Sequence, residues 1–262
     1  MGKYFTVLAI PDIVNGAVGG VIASNTADKA IDDNDVVFDW VAVDVPSGAC
    51  MLRSINMWVN GPDGSTHGSG VIDYDLIFAR SINGAAPPSI GTVNAAASTN
   101  DIRDYWIGHY KFDGSAAIPS GVGALSHGFG YTSNGVDSTP GGGLPMVLDL
   151  EPGSGTNVGF DKLYIAGIHG GSRDYNTGVI VNGAITSDTE DTITVDGVDA
   201  RNIFSVGDTV YLHDVNTALG TVKSLTDTTI TLNAAIAGGT NLDDDDELVN
   251  ANPFKIRLGF ER

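Results

Sequence analysis

Phe254-Lys255-Ile256-Arg257-Leu258-Gly259-Phe260, near the end of the chain, alternates with period two. Phe254, Ile256, Leu258 and Phe260 would face a core while Lys255 and Arg257 face out, the pattern of a sheet strand buried on one side. Upstream, Asp161 to Ile168 (DKLYIAGI) is a second strand by composition. The segment separating these two decides the architecture. Gly183 to Val198 (GAITSDTEDTITVDGV) aligns with Gly220 to Ile236 (GTVKSLTDTTITLNAAI) at an offset of 37 residues, and Thr192-Ile193-Thr194 matches Thr229-Ile230-Thr231. Each copy reads as two short strands around a Thr/Asp turn, and Phe204 to Tyr211 between them reads as another turn and strand. Such a run of short strands makes a small SH3-like barrel. The expected fold is therefore all-β: a jelly-roll-like β-sandwich from residues 1–177 and 251–262, with a small SH3-like β-barrel inserted at 178–250.

The N-terminal half supplies the other strands. Lys3 to Ile10 is a short apolar run ended by Pro11. Val36 to Val45 is β-branched and aromatic, with Val41, Val43 and Val45 on one face and Ala42 and Asp44 on the other. In Met51 to Val59, period two points Leu52, Ser54, Asn56 and Trp58 one way and Met51, Arg53, Ile55, Met57 and Val59 the other. Asn60-Gly61-Pro62-Asp63-Gly64 is a strong turn signal. Val71 to Ala79 follows as a strand, giving a hairpin or a longer β-arch. Ser81 to Gly159 is rich in Gly, Ala, Ser and Pro, and loop-rich stretches of this length are usually functional or interfacial. Inside it, Asp101 to Phe112 (DIRDYWIGHYKF) is a strand or a short helix and gathers Tyr105, Trp106, Tyr110 and Phe112. These four are the candidate interface or ligand contacts; core packing, a subunit contact and sugar stacking all suit them. Met146 to Leu150 reads as a further strand.

Composition narrows the function classes. The 262 residues carry 32 Asp and Glu against 13 Lys and Arg, a formal charge of −19. That surface repels phosphate backbones, so no nucleic-acid partner is expected. It favours solubility and suits hard cations or a basic patch on a partner. The single cysteine, Cys50, excludes an intrachain disulfide framework and a Cys-rich zinc site, and its apolar neighbours point to an inert core thiol. No apolar run approaches the ~20 residues that span a bilayer, so no membrane is expected. MGKYFTVLAI lacks the basic region and long apolar run of a secretory signal; its match to the short myristoylation pattern is read as chance.

Motifs of catalysis are missing. His67, His109, His127, His169 and His213 show no metal-ligand spacing and are read as solvated loop residues. There is no GxSxG elbow, and Gly121-Val122-Gly123 and Gly141-Gly142-Gly143 lack the Lys-Ser/Thr of a phosphate-binding loop. Asp32-Asp33-Asn34-Asp35 and Asp243-Asp244-Asp245-Asp246-Glu247 are oxygen-rich but lack EF-hand spacing; solvated turns that discourage edge-to-edge strand pairing are the expectation. No catalytic residue, metal site or cofactor is nominated.

The segments FDWVAVDVPSGACMLRSINMWVNGPDG, DYDLIFARSINGAAPPSIG and KLYIAGIHGGSRDYNTGVIVNGA resemble virion structural proteins of marine tailed phages, cyanophages in particular. VDGVDARNIFSVGDTVYLHDVNTALGTVKSLTDTTITL is similar to small barrels inserted in such proteins. The resemblance implies a non-catalytic decoration or cement protein in the virion. Its partners would be the major capsid protein and further copies of itself, as a trimer. The long spine helix of a major capsid protein has no counterpart in the sequence pattern, which turns the reading toward decoration; a tail, baseplate or fibre accessory that binds a host glycan is the alternative.

Overall fold

The structure, a computed structural model, describes residues 3–15, 20–21, 30–48, 51–60, 73–114, 118–119, 127–132, 144–152, 159–175, 179–186, 189–213, 217–236 and 240–262. In chain order the strands are β1 (Tyr4–Ala9), β2 (Val14–Asn15), β3 (Gly20–Val21), β4 (Ala30–Ile31), β5 (Val36–Pro46), β6 (Met51–Val59) and β7 (Asp73–Arg80). Then come β8 (Trp106–Phe112), β9 (Ile118–Pro119), β10 (His127–Thr132), β11 (Met146–Val147), β12 (Phe160–Gly170) and β13 (Arg173–Asp174). The last group is β14 (Val179–Val181), β15 (Thr192–Gly197), α1 (Ala200–Ile203), β16 (Thr209–Leu212), β17 (Thr217–Leu225), β18 (Thr229–Leu232), β19 (Glu247–Asn250) and β20 (Phe254–Glu261).

Two sheets form a sandwich. One runs β1-β20-β6-β10-β9, with β11 also on β6; the other runs β5-β12-β7-β8. Taking the eight long strands in chain order, the first sheet holds the first, eighth, third and sixth, and the second holds the second, seventh, fourth and fifth. Apart from the β7–β8 pair, every successive strand crosses to the other sheet. That is the double Greek-key order of a jelly roll. The turn after Val59 therefore heads an arch between sheets, not a hairpin, because β6 and β7 lie in different sheets; residues Gly61 to Gly64 of that turn fall outside the described residues.

The inner faces meet in one core. Phe254, Ile256, Leu258 and Phe260 of β20 are buried in it, as their alternation requires, together with Ile55, Met57 and Val59 from β6. Phe38, Val43, Val45, Tyr74, Leu76, Phe78, Leu163 and Ile165 come from the opposite sheet. Leu52 is also buried, against the strict period-two expectation. The β20–β6 register slips between Gly259 and Phe260, pairing Gly259 with Ser54 but Phe260 with Leu52. One extra residue on β6 thus turns Leu52 inward, which is what a bulge does to side-chain facing.

A second apolar layer lies on the outside of the β5-β12-β7-β8 sheet. Val36, Ile77 and Ala166 on that face pack with Ile90 and Ile102, which belong to the segment after β7. Trp40 Nε1 donates to Pro88 O at 2.7 Å, and Ile90 N donates to the Asp39 carboxylate at 3.2 Å. The first part of the Gly/Ala/Ser/Pro-rich stretch is thus a strap closed down on the sheet rather than a free loop. It ends in a short 3-10 turn at Asn100–Ile102, after which β8 begins. The Met146–Leu150 strand is confined to Met146 and Val147, paired with Leu52 and Met51.

Between β12 and β20 the chain forms a closed barrel in the order β14-β15-β18-β17-β16-β19. Its core is its own: Val181, Ile193, Val195, Ile203, Phe204, Val210, Leu212, Val222, Ile230, Leu232 and Leu248 are buried there. The two copies of the sequence repeat meet, since β15 and β18 pair antiparallel with Thr192 opposite Thr231, Ile193 opposite Ile230 and Thr194 opposite Thr229. The equivalent isoleucines face each other at the centre of a local two-fold. The sequence reading foresaw about five strands and no helix; the structure has six strands plus α1, whose N-cap Asp199 accepts a hydrogen bond from Arg201 N at 2.9 Å.

Candidate functional site

The four aromatics nominated from sequence separate. Tyr110 and Phe112 are buried in the sandwich, 5.1 Å apart edge-to-face, and Tyr105 is half-buried. Trp106 stays 41% exposed, tilted against His109 with ring centroids 5.8 Å apart. Period two alone would put Trp106 on the inward face with Tyr110 and Phe112; the register slips between Phe78–Gly108 and Ala79–Trp106, and the extra residue on β8 turns Trp106 outward. Only Trp106, with part of Tyr105, is open to a ligand or a partner.

The histidines differ from the solvated reading. His169 lies within β12 and is 1% exposed. Its Nδ1 donates to Gly171 O at 2.8 Å, so in the neutral ring Nε2 accepts from Tyr175 Oη at 3.1 Å, and Tyr74 Oη lies 3.1 Å from Tyr175 Oη. This is a satisfied core network. His213 is also buried, with Nδ1 3.9 Å from Glu247 Oε2. Continuing the inward series Leu163, Ile165, Gly167 by one step would have placed His169 inside; the strand simply runs further than its apolar residues suggest. His67 and Cys50 fall outside the described residues, and of His127 only the backbone is described.

The acidic runs are tied into turns. Asp243 N donates to Asp246 Oδ2 at 2.6 Å, and Gly183 N donates to Asp244 Oδ1 at 2.6 Å. The second run therefore fastens the start of β19 to the end of β14, within a barrel that has no open edge to guard. In the first run, Asp35 N donates to Asp32 O and Asn34 takes a left-handed conformation with φ 68°. Near it lie Asp73, Asp75, His109 and Lys111. Burial raises the Asp75 carboxyl above the usual carboxylate range, partly offset by Lys111 and His109, with Asp73 and Asp33 adding to the rise. Among the described residues no group of three or more His, Cys, Asp or Glu side chains could hold a metal ion.

The polar residues that sequence reasoning missed lie where the barrel meets the sandwich. Asp208 is fully buried. Its carboxylate accepts from Ser205 N at 2.8 Å, Asn250 Nδ2 at 2.8 Å and Asn60 Nδ2 at 3.3 Å, and it forms an ion pair with Lys255. Asn60 directly follows β6 and Lys255 belongs to β20, so three segments far apart in sequence converge on one buried charge. No local pattern announces that. Alongside, Ala251 N bonds Thr209 O, Ile13 N bonds Ala251 O, and Asn252 Nδ2 bonds Pro11 O at 3.2 Å.

Among the described residues, two further surfaces are open to a ligand. One is a cleft of about 390 Å³ on the barrel, lined by polar residues such as Asn182, Thr186, Glu190, Thr192 and Thr194 over an apolar floor at Ile185. Among the described residues its lining holds one carboxylate, several hydroxyls and no Lys, Arg or aromatic side chain, which suits a neutral hydroxylated molecule better than an anion or an aryl group. The other is the outer face of the β1-β20-β6 sheet, where Tyr4, Leu8 and Trp58 are exposed.

No family model matches the chain, and no curated protein matches it. Among solved structures, one described as "Crystal Structure of the STIV MCP" aligns at 9% identity over 98% of this chain and 95% of that one, with a TM-score of 0.13. A score that low carries no argument about fold or function. What the coordinates define is an all-β chain: a sandwich in jelly-roll order with a closed barrel between its last two strands.

Proposed function

We propose that this protein is a structural component of a phage particle, a decoration or cement subunit that binds the capsid lattice and further copies of itself, without catalysis. The observation that carries the reading is the jelly-roll sandwich whose last inter-strand connection holds a complete second barrel. Jelly rolls recur in shell and lectin domains, which work by presenting surfaces, although fold alone does not fix function. The strong negative charge would keep decorated particles apart, and the sequence resemblance to virion proteins of marine tailed phages points the same way. The strap at residues 81–105 is engaged with its own sheet, so lattice contact is assigned to exposed surface elsewhere. Mass spectrometry of purified particles, with copy number per virion, tests the proposal. Hundreds of copies support a shell role, and a dozen or fewer would sink it.

The alternative is a tail, baseplate or fibre accessory that binds a host glycan, favoured by the cleft beside Glu190 and by exposed Trp106. Glycan-array binding that is lost in Trp106→Ala or Glu190→Gln, with the fold intact, would support it.

A further inference from the structure

The outer face of the β1-β20-β6 sheet is built in rows fixed by strand register. One row sets Leu8 beside Arg257, Asn56 and Gly130; the next sets Lys255 beside Trp58 and Gly128. Tyr4 stands at the far end opposite Glu261. Tyr4 is 72%, Leu8 45%, Ile10 44% and Trp58 38% exposed, although strand side chains that point away from a core are ordinarily polar. Gly128 and Gly130, opposite Trp58 and Asn56, carry no side chain. Trp58 is held in place, its Nε1 donating to Asn60 Oδ1 at 2.9 Å. Asn60 in turn bonds Ser205, and the next residue, Val206, is 69% exposed on the barrel. An exposed apolar residue of the barrel thus follows directly on the residue that Asn60 bonds, and Trp58 is an anchored aromatic of the kind found at interfaces.

Charge indicates what covers it. On this face Lys255 is paired with Asp208 and Arg53 with Glu261, which leaves the exposed Arg257 as the charge without an ion pair among the described residues. An apolar face whose exposed charge is an arginine stands out on a chain of 32 acidic and 13 basic residues and formal charge −19. A two-fold contact centred on the Leu8–Arg257–Asn56 row would oppose Arg257 to Arg257. We propose that this face binds an acidic surface of a second copy of the chain, head to tail, so that the contact is heterologous and closes into a ring where the rotation allows. This deepens the shell-subunit reading by naming the contact between copies, and it rests on that reading.

Sedimentation of the purified full chain, free of any particle, tests the proposal over a concentration series up to about 100 μM, within the range of modest protein–protein affinity. The expected result is concentration-dependent association that weakens as salt rises. Trp58→Ser and Arg257→Glu should each weaken it by about tenfold or more, as loss of an interface anchor does. Phe160→Ser, which removes an exposed apolar side chain from the other sheet, should leave it unchanged. Leu8→Ser decides the matter if Trp58→Ser fails to fold. A chain that stays monomeric throughout overturns the proposal, as do folded variants that associate like the unaltered protein. Association without virion copies would instead refute the shell reading and leave the contact standing.

Discussion

Asp208 is a charge that the fold must satisfy completely, since a buried carboxylate without partners costs several kcal/mol. It has four partners: one cation, two side-chain amides and one backbone N–H. Removing the cation in Lys255→Met strands the charge, and a loss of about 3 kcal/mol in unfolding free energy is expected from denaturant titration. Asp208→Asn, which keeps the shape and removes the charge, should cost less than Lys255→Met. Asp75 works in the opposite sense. Its carboxyl is raised in the folded state, chiefly by burial, above the ordinary value of 3.8. The folded chain therefore holds its proton more tightly than the unfolded one. The resulting stabilisation is fully present below pH 3.8 and is lost as pH rises through the folded pKa. At neutral pH the ionised, half-buried Asp75 is a cost, which solvent screening keeps on the order of a few tenths of a kcal/mol. Asp75→Asn should accordingly raise the melting temperature at pH 7 and bring no such gain at pH 3, a difference that calorimetry at the two pH values would read.

At the scale of elements, the repeat in the barrel gives a direct prediction. Ile193 and Ile230 are equivalent in sequence, both fully buried, and directly opposite across β15 and β18. Ile193→Val and Ile230→Val should each cost about 1 kcal/mol, nearly equally, and the double variant should depart from additivity because the two side chains share one site. Unequal costs would argue against the local two-fold. The same strands show what the sequence made legible. Composition found β12, and period-two alternation found β5, β6 and β20 and most of their inward faces, because one-sided burial writes itself into every second residue. It failed at Leu52, where a bulge shifts the register, and at His169, where the inward position holds a polar ring satisfied by Tyr175. It also left Tyr105, Trp106, Tyr110 and Phe112 undivided, since Trp106 and Tyr110 share the same parity and only the register slip between β7 and β8 turns the first outward. The strap was read as loop because its contacts with Trp40 and Asp39 are made about fifty residues away in sequence. The outer face of the first sheet was written in the odd placement of Leu8 and Trp58, but only the pairing of β1 with β20 and β20 with β6 brings them together.

At the scale of the whole molecule, the barrel enters and leaves through neighbouring strands. β14, its first, pairs with β19, its last, with Val179 opposite Leu248. A closed unit whose ends lie side by side can be inserted in a connection without stretching the strands that flank it. Its separate apolar core would, taken alone, allow it to melt independently of the sandwich. The polar joint opposes that independence: Asp208 and Ser205 of the barrel bond Asn60, Lys255 pairs with Asp208, and Thr209 bonds both Ala251 and Asn252. Each link follows directly on β6 or lies at the start of β20, the strands at the centre of the first sheet. Opening the joint leaves a buried carboxylate exposed to one set of partners only, so its free energy couples the two cores. The unaltered chain is therefore expected to unfold in one calorimetric transition, with equal calorimetric and van't Hoff enthalpies. In a double variant, Asn60→Ala with Lys255→Met, the coupling through Asp208 is removed, the Thr209 bonds to Ala251 and Asn252 are left, and both apolar cores remain whole. That variant should split into two transitions. One broad but still two-state transition in the double variant would show that the cores are coupled by packing instead, and that the charge at Asp208 only adds to it.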